Sequence, residues 1–254
     1  MRLIPSTRAI IEPEDGAERL FQWKDEEGRV RGWSYHPPSS ERLLINFRGG
    51  TRQFGRLTMF SAIMVGKAYA TKGLTTFMPE YPELDEHGSA ADRQFVLETW
   101  RAFSALHPQL RPIGSYGHSR GCMQAWMFQL DASLGHLPLA LDCPVADLRT
   151  WPEMRPDIAT LFAKIGITPA QLEERSMAAH LDDVERAASR LLIQVAEDDQ
   201  RVRTEDAVQL HQALVARGYP ATLSRYPGGH CFPSEETRDA SLKEAVAFLG
   251  EDET

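Results

Sequence analysis

A serine lies between two glycines in the stretch GSYGHSRGCMQAW, residues 114–126, where an extended apolar run changes to a helical pattern. Gly117, Ser119 and Gly121 fit the pattern G-x-S-x-G, in which a strand turns sharply into a helix and glycines relieve the crowding. Such a turn exposes the serine hydroxyl at the edge of a sheet, and the backbone N–H of Arg120 faces any oxyanion that develops there. The pattern also occurs as a simple helix cap, but the strand before it and the helix after it favour a nucleophile.

A serine hydroxyl is a weak nucleophile and needs a base that a carboxylate holds in place. The segment YPGGHCF places His230 just after the last predicted strand, and AEDDQRV places Asp199 just after the strand before it. The chain order Ser119, Asp199, His230 is the order found in α/β-hydrolases. Asp198 could replace Asp199 as the acid, and Asp147 is a remoter candidate that suits a helix N-cap better.

A Gly-Gly pair follows the first long predicted strand in LLINFRGGTRQFG. Small residues at Gly49 and Gly50 let backbone N–H groups approach a substrate carbonyl, so this loop and Arg120 are the predicted oxyanion hole. A Gly-Gly pair is also common in ordinary turns. The neighbouring Arg48 could bind a substrate carboxylate, whereas the Arg120 side chain at a helix start is more typical of a structural ion pair.

The elements that position these residues alternate between strand and helix from residue 43 to the C-terminus. Short apolar runs with no polar face indicate a sheet covered on both sides, and helical spacing between them predicts a mostly parallel sheet. Before them, RLFQWKDEEGRVRGWSYHPP alternates about a Gly-containing turn and predicts an antiparallel hairpin. The predicted strands are residues 43–47, 74–81, 112–117, 137–145, 190–198 and 221–227.

One interval, at about residues 149–189, is too long for a simple crossover and contains two or three helical pieces broken by prolines. A small helical insert at this edge of the sheet is typical of a lid, although ordinary flanking helices fit the pattern equally well. Trp151 in this insert could line an acyl pocket, but an insert must also bury an apolar face merely to fold. We predict a single α/β-hydrolase domain over residues 1–254.

The composition argues against several classes of function. The formal net charge of -8 disfavours nucleic acid or an anionic membrane surface as the main partner. No apolar run has the length of a signal-peptide core or of a membrane span, which predicts a cytoplasmic protein.

Three cysteines without a CxxC pair suit free thiols in a reducing compartment, and we interpret Cys122 and Cys231 as packing residues. The histidines form no spaced ligand cluster, so no metal or cofactor is implied. The chain is compatible with a homo-oligomer.

Together these residues resemble the catalytic domain of the prolyl oligopeptidase family within the α/β-hydrolase superfamily. The similarity covers roughly residues 18–249 and includes the hairpin, the RGG loop, GHSRG, DCPVADL and YPGGHCF. The segment AEDDQRV is similar to the family's G-x-x-D-x-x-V at the end of a strand, so the resemblance assigns the acid to Asp199. It likewise assigns the base to His230 and implies an α/β-hydrolase fold.

Departures from the family pattern favour an esterase over a peptidase. Fewer than 20 residues precede the hairpin, where many family peptidases carry a β-propeller. Phe47 and Arg48 stand where some members place a tyrosine hydroxyl that binds the oxyanion, so a backbone N–H is expected instead. Cys122 follows Gly121, the second glycine of the G-x-S-x-G pattern, where relatives often have another glycine. The sequence also shows no acidic pair that would bind the free amino terminus of a peptide.

The sequence therefore predicts a serine hydrolase that cleaves ester bonds of small substrates through an acyl-enzyme intermediate, as carboxylesterases do. A small peptidase or aminopeptidase that acts on short peptides would use the same triad and stays open as the alternative. A non-catalytic binding protein with a hydrolase fold is less favoured, because the triad is complete and in the expected order.

Overall fold

The computed structural model describes residues 1–11, 18–50, 56–81, 88–134 and 136–250. Within them, nine strands form one sheet: β1 (Ile4–Ile11), β2 (Glu18–Lys24), β3 (Val30–His36), β4 (Arg42–Phe47), β5 (Leu74–Pro79), β6 (Arg111–His118), β7 (Leu139–Asp142), β8 (Leu191–Ala196) and β9 (Ala221–Tyr226). Their spatial order is β1-β2-β3-β5-β4-β6-β7-β8-β9. Pairing is antiparallel from β1 to β5 in that order and parallel from β5 to β9.

Helices occupy the connections between the strands. None of those that lie in the described residues combines the length and apolar character of a membrane span. They are α1 (Arg56–Ala70), α2 (Ala90–Leu106), α3 (Arg120–Ala132), α4 (Trp151–Met154), α5 (Pro156–Ile165), α6 (Pro169–Glu174), a 3-10 helix (Met177–Asp183), α7 (Val184–Ala187), α8 (Thr204–Ala216) and α9 (Glu235–Gly250).

The strands are apolar on both sides because helices cover both faces of the sheet. In β4, Leu43 and Ile45 belong to a core that includes side chains of α2, α3 and α8. Leu44, between them, belongs to a second core with side chains of α1 and α9. Successive side chains of a strand point to opposite faces, so β4 lies between two helical layers. The mostly parallel sheet with helices on both faces agrees with the prediction.

Five of the six predicted parallel strands agree with β4, β5, β6, β8 and β9 to within two residues, and β2 and β3 form the predicted hairpin. The remaining one, predicted over residues 137–145, is shorter because the backbone leaves the sheet at Cys143, whose φ is 48°. The strand β1 was not predicted. It lies at the edge of the sheet and pairs only with β2. Pro5 is tolerated there because a proline, which has no N–H to donate, does not interrupt the hydrogen bonds of a central strand.

The predicted insert contains α4, α5, α6, the 3-10 helix and α7, between β7 and β8. Its side chains Trp151, Ile158 and Phe162 form an apolar cluster with Met123 of α3 and Val202, which follows β8. The insert is therefore packed against two elements that lead to the candidate site.

The core helix α3 should be sensitive to loss of volume. The ring of Trp126 is completely buried, and we expect Trp126→Ala to lower the free energy of unfolding by about 3–5 kcal/mol, because it leaves a cavity between α3 and the sheet. Leu106→Ala, at a side chain that is 48% exposed, is the control and should change it by less than about 0.5 kcal/mol. Urea unfolding measures both, and equal losses would contradict this description of the core.

Candidate active site

Ser119 lies in a sharp turn between β6 and α3, with φ 54° and ψ -124°. Its backbone N–H donates to the carbonyl of Asp142 at 2.7 Å, which holds the turn against the end of β7. The side chain makes no capping hydrogen bond to α3. Instead, Oγ lies 2.8 Å from Nε2 of His230, so the hydroxyl faces a base and does not cap the helix.

Three glycines allow the backbone segments around Ser119 to come into contact. A Cβ atom on Gly117 would lie 2.5 Å from Cα of Cys122, and one on Gly121 would lie 2.1 Å from the carbonyl oxygen of Phe47. A Cβ on Gly49 would lie 2.9 Å from Cβ of Ser119. The RGG loop therefore lies directly against the turn, and no larger residue fits where they touch.

His230 connects the turn to a buried carboxylate. Its Nδ1 lies 2.6 Å from Oδ2 of Asp199, whose side chain is 1% exposed. The other oxygen of Asp199 accepts the backbone N–H groups of Arg201 and Val202 at 2.8 and 3.0 Å. Asp198 is exposed to solvent. The structure thus brings Asp199, rather than Asp198, against the imidazole.

The third candidate acid lies elsewhere. Asp147 forms an ion pair with Arg149 at 2.6 Å and accepts a hydrogen bond from Ser176. These contacts connect the start of the insert to its later turns, and they leave Asp147 with a structural role.

The pKa of His230 depends on its two polar neighbours. Burial by itself lowers the pKa of the imidazole, but the hydrogen bond to Asp199 and the contact with the Cys231 thiol outweigh burial and raise it to about 9. The ring therefore holds a proton more firmly than an ordinary histidine does, and it becomes a free base only at alkaline pH.

Two arginines near the turn are buried in ion pairs. Arg48 lies 2.6 Å from Glu80, and both side chains are almost inaccessible to solvent. The guanidinium of Arg120 lies 3.8 Å from Asp92, and Tyr81 lies beneath both arginines with its hydroxyl donating to the carbonyl of Arg48.

The arginine side chains are therefore engaged with other groups of the protein, and the backbone of the RGG loop and of α3 lies beside the turn. Arg120 donates to the carbonyl of Gly50 at 3.4 Å, and Gly50 has a φ of 90° that favours glycine. The N–H of Arg120 lies in the first turn of α3, where amides have no acceptor within the helix. A substrate carboxylate would have to displace Glu80 from Arg48.

Trp151 supports the loop that carries the carboxylate. Its side chain is 3% exposed, and its Nε1–H donates to the carbonyl of Arg201 at 2.9 Å. Because Arg201 also donates its N–H to Asp199, the contact fixes the insert to the segment that orients His230. The structure places Trp151 in the apolar cluster of the insert with Phe162.

The structure also reveals a second histidine and carboxylate pair that sequence reasoning missed. Nδ1 of His118 lies 2.6 Å from Oδ2 of Asp142, which also accepts the hydroxyl of Tyr116 at 3.0 Å. In addition, Cys231, predicted to be a packing residue, interacts electrostatically with both histidine rings and lies within 4.8 Å of that of His230. The available signal was positional, since His118 immediately precedes Ser119 and Asp142 ends the neighbouring strand.

Comparison with known proteins supports the resemblance to the prolyl oligopeptidase family. A model of the prolyl oligopeptidase family matches residues 91–252, more than half of the chain, and this segment contains Ser119, Asp199 and His230. A search of curated proteins finds no match to the sequence.

Solved structures share the fold at low sequence identity. Esterase B from Lactobacillus rhamnosis superposes with a TM-score of 0.71 at 16% identity, over 95% of this chain and 89% of that chain. An esterase from Rhizomucor miehei superposes with a TM-score of 0.68 at 16% identity, over 98% of this chain and 83% of the esterase. Acylaminoacyl peptidase from Pyrococcus horikoshii gives 0.70 at 17%, over 100% of this chain but only 43% of the peptidase. The α/β-hydrolase fold predicted from the sequence is confirmed.

Breaking the buried ion pair between Arg48 and Glu80, which supports the RGG loop, should destabilise the folded protein. We expect Glu80→Ala to lower the free energy of unfolding by about 3–5 kcal/mol, because it leaves the buried charge of Arg48 without its carboxylate. The double variant Arg48→Met/Glu80→Leu removes both charges and should recover most of that loss. Urea unfolding of the three proteins tests this, and a double variant no more stable than Glu80→Ala would contradict it.

Proposed function

Because the chain belongs to the prolyl oligopeptidase family, we propose that it is a serine hydrolase that cleaves ester bonds of small substrates through an acyl-enzyme. Ser119 is the nucleophile, His230 the base and Asp199 the acid. The supporting observation is one continuous hydrogen-bond chain, 2.8 Å from Oγ to Nε2 and 2.6 Å from Nδ1 to Oδ2. A nucleophile, a base and an orienting carboxylate in this arrangement suit acyl transfer.

The reaction proceeds in two matched halves. His230 takes the proton of Ser119 as Oγ attacks the ester carbonyl carbon, and Asp199 holds the imidazolium that forms. Backbone N–H groups of Arg120 and of the Gly49–Gly50 loop bind the oxyanion. His230 then protonates the leaving alcohol. A water molecule repeats the sequence on the acyl-enzyme and releases the carboxylic acid.

The buried charges near the turn favour an ester over a peptide with a free amino terminus. Binding of an ammonium group requires carboxylates that have no cation of their own. Glu80 and Asp92 are the buried acids beside Arg48 and Arg120 in the described residues, and each faces an arginine. Arg48 stabilises the RGG loop, and Trp151 stabilises the loop after β8 that carries Asp199. We assign neither of them to direct substrate binding.

The second candidate function is hydrolysis of short peptides. The family match favours it, as does the likeness to acylaminoacyl peptidase over the whole of this chain. The same triad cleaves amides and esters, so only the choice of substrate separates the two functions.

The substrate class can be tested with p-nitrophenyl esters of increasing acyl length beside aminoacyl and prolyl p-nitroanilides. We expect turnover of the esters, and Ser119→Ala should lower kcat by at least about 10⁴-fold because the attacking oxygen is lost. Ser115→Ala, at a buried serine of β6 whose hydroxyl has no hydrogen-bond partner among the described residues, should leave kcat unchanged.

Anilide cleavage at an efficiency comparable with that of the esters would instead make the protein a small peptidase. Ester turnover that survives in Ser119→Ala would overturn the assignment of the nucleophile.

The pH profile follows from the raised pKa of His230. Only the neutral imidazole accepts the serine proton, so kcat/KM should rise with pH and reach its midpoint well above the ordinary 6.5, near the pKa of about 9. Cys231→Ala removes the thiol that contributes to this pKa and should move the midpoint to lower pH. Cys122→Ala removes a thiol that donates to the backbone carbonyl of Asp142, and it is the control. Equal midpoints in wild type and Cys231→Ala would refute the role of the thiol.

A further inference from the structure

Cys231 and Cys143 bring two thiols together beside His230. Their Sγ atoms and a ring nitrogen of His230 all lie within 4.8 Å of one another, and the N–H of Cys231 donates to Sγ of Cys143 at 3.4 Å. Both cysteines have positive φ, 63° and 48°. A non-glycine residue in that region is strained, so the surrounding loops hold the two thiols in this arrangement against a local preference.

The Cys231 thiol also interacts with the imidazole of His118, and both residues line a cavity of about 200 Å³. His118 is held by Asp142, 2.6 Å from Nδ1, and Asp142 is held in turn by the hydroxyl of Tyr116. A cysteine, a histidine and a carboxylate in contact form the arrangement that converts a thiol to a thiolate. The mechanism of ester hydrolysis does not use this second chain.

A small reagent can reach Cys231 but not Cys143. Cys231 and His230 line an open surface depression of about 530 Å³, and a second cavity of about 200 Å³ borders Cys231 from the side of His118. Cys143 is 1% exposed. Cys231 is therefore the thiol that solvent reaches, and the buried thiol of Cys143 lies within 4.8 Å of it.

We propose that Cys231 is an oxidation site for hydrogen peroxide and that Cys143 resolves the oxidised form as a disulfide. The Cys231 thiolate attacks one peroxide oxygen, so that an S–O bond forms, the O–O bond breaks and hydroxide leaves. The Cys143 thiol then loses its proton and attacks Sγ of the sulfenic acid. An S–S bond forms, the S–O bond breaks and water leaves. The two thiols lose two electrons and the peroxide gains them.

The disulfide also affects ester hydrolysis, a consequence that rests on the proposed function. Cys231 directly follows His230, and its Sγ moves to bonding distance of Cys143 when the disulfide forms. This movement pulls the base away from Ser119. Oxidised protein therefore loses activity, and a dithiol reductant restores it.

The oxidation can be read without any substrate. Wild type treated with hydrogen peroxide in the presence of a chelator should lose the mass of two hydrogens, with the new bond located between Cys143 and Cys231 by peptide mapping. Cys143→Ser should gain oxygen on Cys231 instead and react with a sulfenic-acid probe. Cys122→Ser, which keeps both thiols of the pair, should behave as wild type.

Activity gives a second readout. Peroxide should inactivate the wild type reversibly by at least about tenfold, whereas Cys143→Ser, active before treatment, should not recover fully with reductant once Cys231 is over-oxidised. The chelator keeps metal ions away from the two thiols and His230, and inactivation that occurs only when the chelator is left out would overturn the proposal in favour of metal binding. If untreated wild type cleaves no ester, the proposed function fails while the mass measurement still tests the oxidation site.

The reactivity of the Cys231 thiol is tested first on the wild-type protein, which avoids any loss of folding, and the role of His118 is then tested with a variant. Iodoacetamide should label Cys231 faster than Cys122 or Cys143, and the rate should stay high below pH 8.5, where an ordinary thiol loses its thiolate. His118→Ala should slow this labelling at pH 7 by about tenfold or more. Labelling of Cys231 with the pH dependence of a free thiol would contradict the proposal, as would a peroxide-treated protein that contains no disulfide.

Discussion

Ser119 keeps a positive φ because its neighbours leave it no alternative: its N–H is held by the carbonyl of Asp142, and Gly121 lies against the backbone of Phe47. A conformation of this kind costs a non-glycine residue about 1–3 kcal/mol, which the packing of α3 and the sheet offsets. The same turn aims the hydroxyl at His230 and brings the first amides of α3 beside the RGG loop. A change that relaxed the turn would misplace the proposed nucleophile and the proposed oxyanion donors together.

The RGG loop, which lies against Ser119, and the loop after β8, which carries Asp199, are each stabilised by a buried polar interaction. On one side, the pair of Arg48 and Glu80 supports the RGG loop. On the other, Trp151 of the insert binds the carbonyl of Arg201 and steadies the segment that carries Asp199. The proposed chemistry therefore depends on residues that touch no substrate, and the helical insert contributes to the site through this contact with the loop after β8.

Short-range rules explain why much of this arrangement could be predicted from the sequence. The glycines around Ser119, the apolar strands and the positions of Asp199 and His230 after consecutive strands depend on local sterics and strand polarity. Parallel strands bring their carboxyl ends to one edge, so residues far apart in the chain could be placed together. The assignment of Asp199 over Asp198 followed from the family resemblance, and the structure supplies the geometric reason, a carboxylate fixed by two backbone amides.

Contacts between distant segments could not be predicted in the same way. The partner of Arg48 is Glu80, and the partner of His118 is Asp142, pairs that no spacing in the sequence relates. Cys143 contacts Cys231 only because the backbone turns at both positions, where φ is positive. Nothing in the sequence indicates a positive φ at a cysteine. The edge strand β1 was missed because its pairing with β2, rather than any alternation of its own, makes it a strand.

The proposed function depends above all on activation of Ser119 as a nucleophile by His230 and Asp199. The most direct measurement is labelling by a fluorophosphonate probe, followed by peptide mass analysis of wild type, Ser119→Ala and His230→Ala. We expect a single adduct on Ser119 in the wild type, none in Ser119→Ala and far slower labelling in His230→Ala. A wild type that fails to react, or that reacts at another residue, would contradict it.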